Sequence, residues 1–239
     1  MLEVHTLTAS LVIPALNEAK TLVHVLKPAV EAGVFKEIIL VDDGSTDGTS
    51  EVFDEFTQRL AREIPPATLI PQFRLVRHPT TLGKAISLRD GVSLATSDIV
   101  VFLDADLINL QPRHINALLA PLLQSSKYRT SLGVFTGGRT MTTLAQKISP
   151  FISGQRACFK DDLKDFRKWE YVGFGIETAL NRYFYEKNIP IRVVELDGVS
   201  QVMKEEKRGF VRGFGARLKM YWQILKTWIA TKFTKYSGG

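Results

Sequence analysis

Residues Ile99-Val-Val-Phe-Leu-Asp-Ala-Asp106 decide the fold. Five apolar residues run without a polar interruption, and two carboxylates then flank one alanine. A run that is apolar at odd and even positions alike presents hydrophobic side chains to both faces of a sheet. Such strands belong to parallel sheets covered by helices on each side. In an open parallel sheet, ligands bind beyond the carboxyl ends of the strands, which is where Asp104 and Asp106 stand.

The same form recurs upstream, at Ser10–Pro14 (SLVIP), Glu37–Val41 (EIILV) and Phe73–Val76 (FRLV). Helical patterns separate these runs, over roughly Ala19–Ala32, Thr49–Glu63, Lys84–Ala95 and Arg113–Leu123. Alternation of strand and helix implies an α/β fold, a Rossmann-like and mostly parallel sheet with right-handed crossovers. The second half is less regular. Leu132–Thr136 and Ile191–Leu196 read as strands, Gly175–Lys187 as a helix, and Gly213–Lys235 as helical again.

Each of the first four strands ends in polar residues. They are Pro14-Ala-Leu-Asn-Glu18, Asp42-Asp-Gly-Ser-Thr-Asp47, His78-Pro-Thr-Thr-Leu-Gly-Lys84 and Asp104-Ala-Asp106. Four such loops in register make a site. At a strand end, positions i and i+2 share a side, so Asp104 and Asp106 repel unless a cation sits between them. A hard divalent ion, Mg²⁺ or Mn²⁺, prefers oxygen ligands and completes its shell with substrate phosphates. Within the second loop, Asp42 or Asp43 can accept from a ribose hydroxyl or a base N–H, or serve only the turn. Asp47 reads as a helix cap. Asn17 and Glu18 read as nucleoside contacts or as a helix start. Lys84 opens a helix, where the helix dipole disfavours a cation. A diphosphate beside it would reconcile the two. The four histidines show no ligand spacing and read as structural or surface residues.

Read together, VIPALNE, VDDGSTD, LGKAISLRDGV and FLDADL resemble the inverting family 2 glycosyltransferases with the GT-A fold. The resemblance covers about the first 110 residues. It implies a nucleotide-sugar donor, UDP- or GDP-linked, whose base pocket is lined by Pro14, Leu16 and Glu18, with Asn17 beside them. It further implies that Asp43, with Asp42, holds the base or ribose, and that Asp104, Ala105 and Asp106 hold the metal and the diphosphate. The segment Phe151-Ile-Ser-Gly-Gln-Arg-Ala157 resembles the acceptor side of polyprenyl-phosphate sugar transferases such as dolichol-phosphate mannose synthase, where Arg156 would face a phosphate. Tyr171–Thr178 resembles a segment of the glucosyl-3-phosphoglycerate synthases, which transfer with retention. Glu177 then stands where an acidic acceptor-side residue is placed, a general base for the acceptor hydroxyl beside Asp106 in the catalytic set. Gln201 falls where relatives carry a third metal ligand, often histidine. Stereochemical outcome, sugar and base stay open.

Other classes fit less well. A dinucleotide dehydrogenase needs Gly-x-Gly-x-x-Gly after its first strand, and a sugar nucleotidyltransferase needs a Gly-rich basic loop there. Ala15-Leu-Asn-Glu18 is neither. A catalytically silent nucleotide-binding module would not need both aspartates and the lysine. The leading acceptor is a lipid or lipid-linked group, and the alternative is a small phosphorylated acid such as phosphoglycerate.

Of the 239 residues, 45% are hydrophobic and 23% charged, an ordinary globular balance with a formal net charge of +6. From Lys204 to Tyr236, nine Lys and Arg stand against Glu205 and Glu206, so this tail carries the whole excess. That argues for an anionic surface and against a nucleic-acid-binding core. Leu218, Tyr221, Trp222, Leu225, Trp228, Ile229 and Phe233 recur at helical spacing beside these cations. The stripe reads as an interfacial helix on an anionic membrane, or as a face packed on the domain or on a second copy in a homodimer. The expected organisation is a glycosyltransferase domain over 1–203, with a nucleotide-binding half over 1–110 and an acceptor half over 111–203, and a basic amphipathic segment over 204–239. One cysteine, Cys158, and no secretory signal or membrane span suit a cytoplasmic protein, peripheral at the inner face of the membrane.

Overall fold

The structure, a computed structural model, describes residues 7–63, 70–136, 153–167, 169 and 175–201. Phe151 and Ile152 of the acceptor-side segment, Tyr171–Phe174 and the basic amphipathic tail lie outside the described residues. All described residues fall within one compact unit, Met1–Gln201.

Strands β1 (Ala9–Ala15), β2 (Phe35–Asp42), β3 (Gln72–Arg77) and β4 (Ile99–Phe102) form the parallel half of a seven-stranded sheet. Helices α1 (Leu22–Glu31), α2 (Thr49–Glu63) and α3 (Lys84–Leu94) connect them. The sheet continues through β6 (Thr130–Thr136), β7 (Arg156–Phe159) and β8 (Ile191–Asp197), in the order β3-β2-β1-β4-β7-β6-β8. Helix α4 (Pro112–Gln124) leads into β6, and α5 (Ile176–Glu186) leads into β8. Strand β7 runs antiparallel to both β4 and β6, whereas β8 is parallel to β6. A separate two-stranded ribbon joins β5 (Leu107–Ile108) to β9 (Ser200–Gln201).

The alternation of each strand divides its side chains between two cores. Leu11, Ile13, Ile38, Leu40, Ile99 and Val101 pack on one face, with Leu22, Leu26 and Ile115 from α1 and α4. Val12, Ile39, Val41, Val100 and Phe102 pack on the other, with Leu88 from α3 and Leu180 and Phe184 from α5. Helices therefore cover both faces, and uninterrupted apolar runs are what such strands require. Helix α3 lies close on β1 because position 91 is glycine. A Cβ there would fall 2.3 Å from a methyl carbon of Val12.

One expected bound shifts, and one strand is new. Helix α1 starts at Leu22 rather than near Ala19, because Asn17 adopts a left-handed backbone (φ 57°) and residues 17–19 bond into the loop after β2. Strand β7 has no counterpart among the expected strands. Arg-Ala-Cys-Phe is short and carries a charge, and it becomes a strand by pairing on both edges. Among the described residues no helix is long and apolar enough to cross a membrane.

Candidate active site

Chain order reverses around β1, with β2 and β3 on one side and β4 on the other. The crevice at this reversal lies at the carboxyl ends of the strands, and the four polar loops converge there.

The loop after β2 is built from its own side chains. Asp42 is buried. Its Oδ1 accepts the Ser45 amide at 2.8 Å, and its Oδ2 accepts the Ser50 hydroxyl. Asp47 accepts the Thr49 amide at 3.1 Å and the Ala19 amide at 3.0 Å. It thus caps the start of α2, as expected, and ties the β1 loop to it. Asn17 reaches the same loop. Its Oδ1 accepts the Thr46 amide and its own amide donates to Ser45 Oγ, both at 2.9 Å. Glu18 bonds by its amide to Thr49 Oγ1, and its Oε2 accepts from Thr21 Oγ1, both at 2.9 Å. Pro14 and Leu16 remain partly exposed at the end of β1.

Asp43 joins this loop to the next. Its Oδ1 accepts the Leu82 amide and faces His78 Nδ1, each at 2.8 Å, while its Oδ2 accepts the Gly83 amide at 2.8 Å. The other nitrogen of His78 lies 3.1 Å from Asp90 Oδ2 on α3. Gly44 has a positive φ of 79°, and a Cβ there would stand 2.8 Å from the Thr80 carbonyl carbon, so the two loops touch backbone to backbone. Both aspartates expected to hold the base or ribose are thus engaged within the protein, Asp42 in shaping one loop and Asp43 in clamping the next.

The clamp delivers Lys84, the first residue of α3. Its Nζ lies 2.6 Å from Asp104 Oδ1 and 2.7 Å from Glu177 Oε1. Two carboxylates compensate the lysine at the helix start, where the sequence reading placed a diphosphate. Glu177 sits in the first turn of α5, where the helix dipole favours an anion. Burial works against the charge on Lys84, but attraction to Asp104 and Glu177 outweighs it and raises the ammonium's pKa. Burial likewise opposes the Asp104 carboxylate. Lys84, followed by the amides of Gln155 and Gln201, holds it below the ordinary range.

Asp104 is the hub. Besides Lys84, it receives Gln155 Nε2 at 2.9 Å and Gln201 Nε2 at 2.7 Å, both on Oδ2. The β5–β9 pairing sets Gln201 opposite Leu107 and so brings it to Asp104, near the expected metal site. Ala105 and Asp106 are buried in the turn between β4 and β5.

Arg156 requires a correction. It was expected to face a phosphate, yet it is 1% exposed. Its guanidinium bonds Asn181 on α5, lies 3.4 Å from Thr130 Oγ1, and stacks 5.1 Å from the Phe184 ring centroid. Burial lowers its pKa to about 10. The next strand position of that face, Cys158, is buried as well, and burial pushes its thiol up to about 12, far from the range of a reactive thiolate.

His78, read as structural or surface, is buried and holds Asp43 and Asp90 together. Sequence reasoning missed Gln155. Gln155 lay within a segment read as acceptor-side, and no local pattern ties it to Asp104.

Residues 10–189 match the model for glycosyl transferase family 2. The chain is 34% identical over 227 residues to the glucosyl-3-phosphoglycerate synthase of Mycobacterium tuberculosis (strain CDC 1551 / Oshkosh), a match that covers 82% of this chain and 64% of that protein. The crystal structure of glucosyl-3-phosphoglycerate synthase from Mycobacterium tuberculosis in complex with Mn²⁺, UDP and glucosyl-3-phosphoglycerate superposes with a TM-score of 0.63 at 25% identity, over 82% of this chain and 72% of that one. That enzyme is also solved with Mg²⁺ and UDP. A shorter match, 36% identical over 104 residues, covers 42% of this chain and 29% of the undecaprenyl-phosphate 4-deoxy-4-formamido-L-arabinose transferase of Edwardsiella ictaluri. The sheet flanked by helices is that of the GT-A neighbours.

Proposed function

From the premise that this chain belongs to glycosyl transferase family 2, we propose that it transfers a sugar from a nucleoside diphosphate sugar, a UDP-sugar first, to a hydroxyl of a small phosphorylated acid of the phosphoglycerate kind. The observation that carries this reading is the Lys84 bridge. It brings Asp104 of the donor half and Glu177 of the acceptor half onto one cation at 2.6 and 2.7 Å. The acceptor follows the likeness to the glucosyl-3-phosphoglycerate synthase, which runs over 82% of this chain. The likeness to the undecaprenyl-phosphate enzyme runs over only 42%. The lipid acceptor favoured by the sequence reading therefore becomes the second reading.

The residues present suit a divalent cation. Asp104, Asp106 and the Gln201 amide offer hard oxygen donors, and an ammonium already lies against Asp104 Oδ1. Mg²⁺ or Mn²⁺ there would neutralise charge on the departing diphosphate. Lys84 adds a permanent cation at the same edge and pairs with a diphosphate oxygen once the donor is bound. Pro14, Leu16 and Glu18 border the nucleoside. In the transfer, the bond from the anomeric carbon to the phosphate oxygen breaks and a bond to the acceptor oxygen forms. The acceptor's proton passes to Glu177, and nucleoside diphosphate leaves.

The test is nucleoside diphosphate release from a panel of UDP- and GDP-sugars with Mn²⁺, given 3-phosphoglycerate or a polyprenyl phosphate. Release dependent on 3-phosphoglycerate supports the proposal. Release with polyprenyl phosphate alone overturns the acceptor, and no release from any donor overturns the transferase reading.

A further inference from the structure

Asp104 is held at two points by one side chain. Gln155 Oε1 accepts the Asp104 backbone amide at 3.0 Å, and Gln155 Nε2 donates to Asp104 Oδ2 at 2.9 Å. The orientation of this amide follows from its partners, since a backbone N–H only donates and a carboxylate only accepts. Gln155 is fully buried, and its own carbonyl accepts the Gly133 amide of β6 at 2.8 Å. It stands one residue before β7, whose first residue, Arg156, pairs with Phe102 at the end of β4. The sheet register therefore fixes where Gln155 meets Asp104.

The neighbouring positions agree. A Cβ on Gly154 would fall 2.8 Å from Lys84 Nζ and 2.9 and 3.0 Å from the two Asp104 oxygens, so the lysine–aspartate pair fills the space a side chain would need. Gln201 Nε2 adds a second amide donor to Oδ2 at 2.7 Å. With Oδ2 bound by two amides, Oδ1 is the oxygen turned to the cation, here Lys84 Nζ at 2.6 Å.

We propose that Gln155 is the positioning residue of the donor-side cation site, fixing both the backbone and the carboxylate of Asp104 so that Oδ1 is presented to a divalent ion. This rests on the reading of Asp104 as a ligand. A ligand carboxylate free to rotate would lose ordering entropy on each binding event, and partners that hold a ligand are typically worth about ten- to a hundredfold in metal affinity.

The test is Mn²⁺ binding in the presence of UDP, followed by the electron paramagnetic resonance signal of the free ion. It compares the intact chain with Asp104→Asn, Gln155→Met and Gln155→Asn, each checked by metal-free thermal unfolding. Gln155→Met keeps the volume and removes both hydrogen-bonding groups. Gln155→Asn keeps the groups and shortens their reach. The expected result is that both weaken Mn²⁺ binding by about tenfold or more. Wild-type Mn²⁺ affinity in a folded Gln155 variant, with binding lost in Asp104→Asn, overturns the inference alone. Wild-type affinity in Asp104→Asn overturns the reading of the site beneath it. If Gln155→Met does not fold, Gln155→Asn decides by the same criterion.

Discussion

Lys84 Nζ lies 2.7 Å from Glu177 Oε1, although the two residues are 93 positions apart in the chain. Through the same nitrogen Asp104, at the end of β4, and Glu177, in the first turn of α5, share one charge. Replacing Lys84 by methionine leaves those carboxylates facing a site without its fixed cation. A charge-assisted contact is worth about 1.5–3 kcal/mol, so kcat/KM for nucleotide-sugar turnover should fall about ten- to a hundredfold. Steady-state kinetics at saturating Mn²⁺ measure this, and unchanged kcat/KM would mean that the bridge is an incidental ion pair.

Glu177→Gln keeps an oxygen for Lys84 and removes the proton acceptor. Donor affinity, read by calorimetry with UDP and Mn²⁺, should stay near wild type while kcat drops about 10²–10⁴-fold. A drop in thermal stability with a wild-type rate assigns Glu177 to the helix start instead.

Asp43→Asn separates two roles for that residue. An asparagine cannot accept at every point where Leu82, Gly83 and His78 now meet the carboxylate. As a loop clamp, Asp43 predicts a joint loss, about 1–3 kcal/mol of folding stability together with weaker UDP binding. Weaker UDP binding with stability intact shows direct contact with the nucleoside.

Arg156→Met should destabilise the fold, since a buried bonding partner of Asn181 is lost, by about 1–3 kcal/mol. UDP affinity and acceptor KM should not change. A raised acceptor KM in a fully stable variant restores the phosphate-facing role.

Glu37 predicts an acid-sensitive stability. It is 1% exposed. Burial opposes its charge, but the Ser10 hydroxyl, the Thr96 amide and hydroxyl, and Arg74 together hold its pKa below the ordinary value. A carboxylate depressed in the folded state stabilises above its unfolded pKa, about 4.3, and that contribution is lost as pH falls through the folded value. Glu37→Gln should therefore be less stable than wild type at pH 7, with the gap closing below about pH 4. A gap independent of pH in urea unfolding refutes the ionic role.

Much of the first half of the chain is legible before folding. The runs Leu11–Ile13, Ile38–Val41 and Ile99–Phe102 are apolar at consecutive positions, and that pattern alone specifies strands buried on two faces. Loops that follow such strands stand at one edge of a parallel sheet, so the pattern alone brings Asp42, Asp43, Lys84 and Asp104 to that edge. The period also placed Glu177 at a helix start. Partner choice is another matter. Whether Asp43 meets a ribose or the amides of Leu82 and Gly83 depends on how closely two loops pack, and Gly44 sets that distance in space.

The sequence by itself determined the strand–helix alternation, the edge where polar residues collect and the residue types that suit a cation and a diphosphate, because these follow from local periodicity and side-chain chemistry. Tertiary structure alone decided that Arg-Ala-Cys-Phe at 156–159 enters the sheet between β4 and β6, that Arg156 turns into the core toward Asn181, and that Gln155 and Gln201, 51 and 97 positions further along the chain, close on Asp104. Those outcomes rest on strand order and register, which arise from many weak contacts between distant segments and leave no period in the sequence around any one of them.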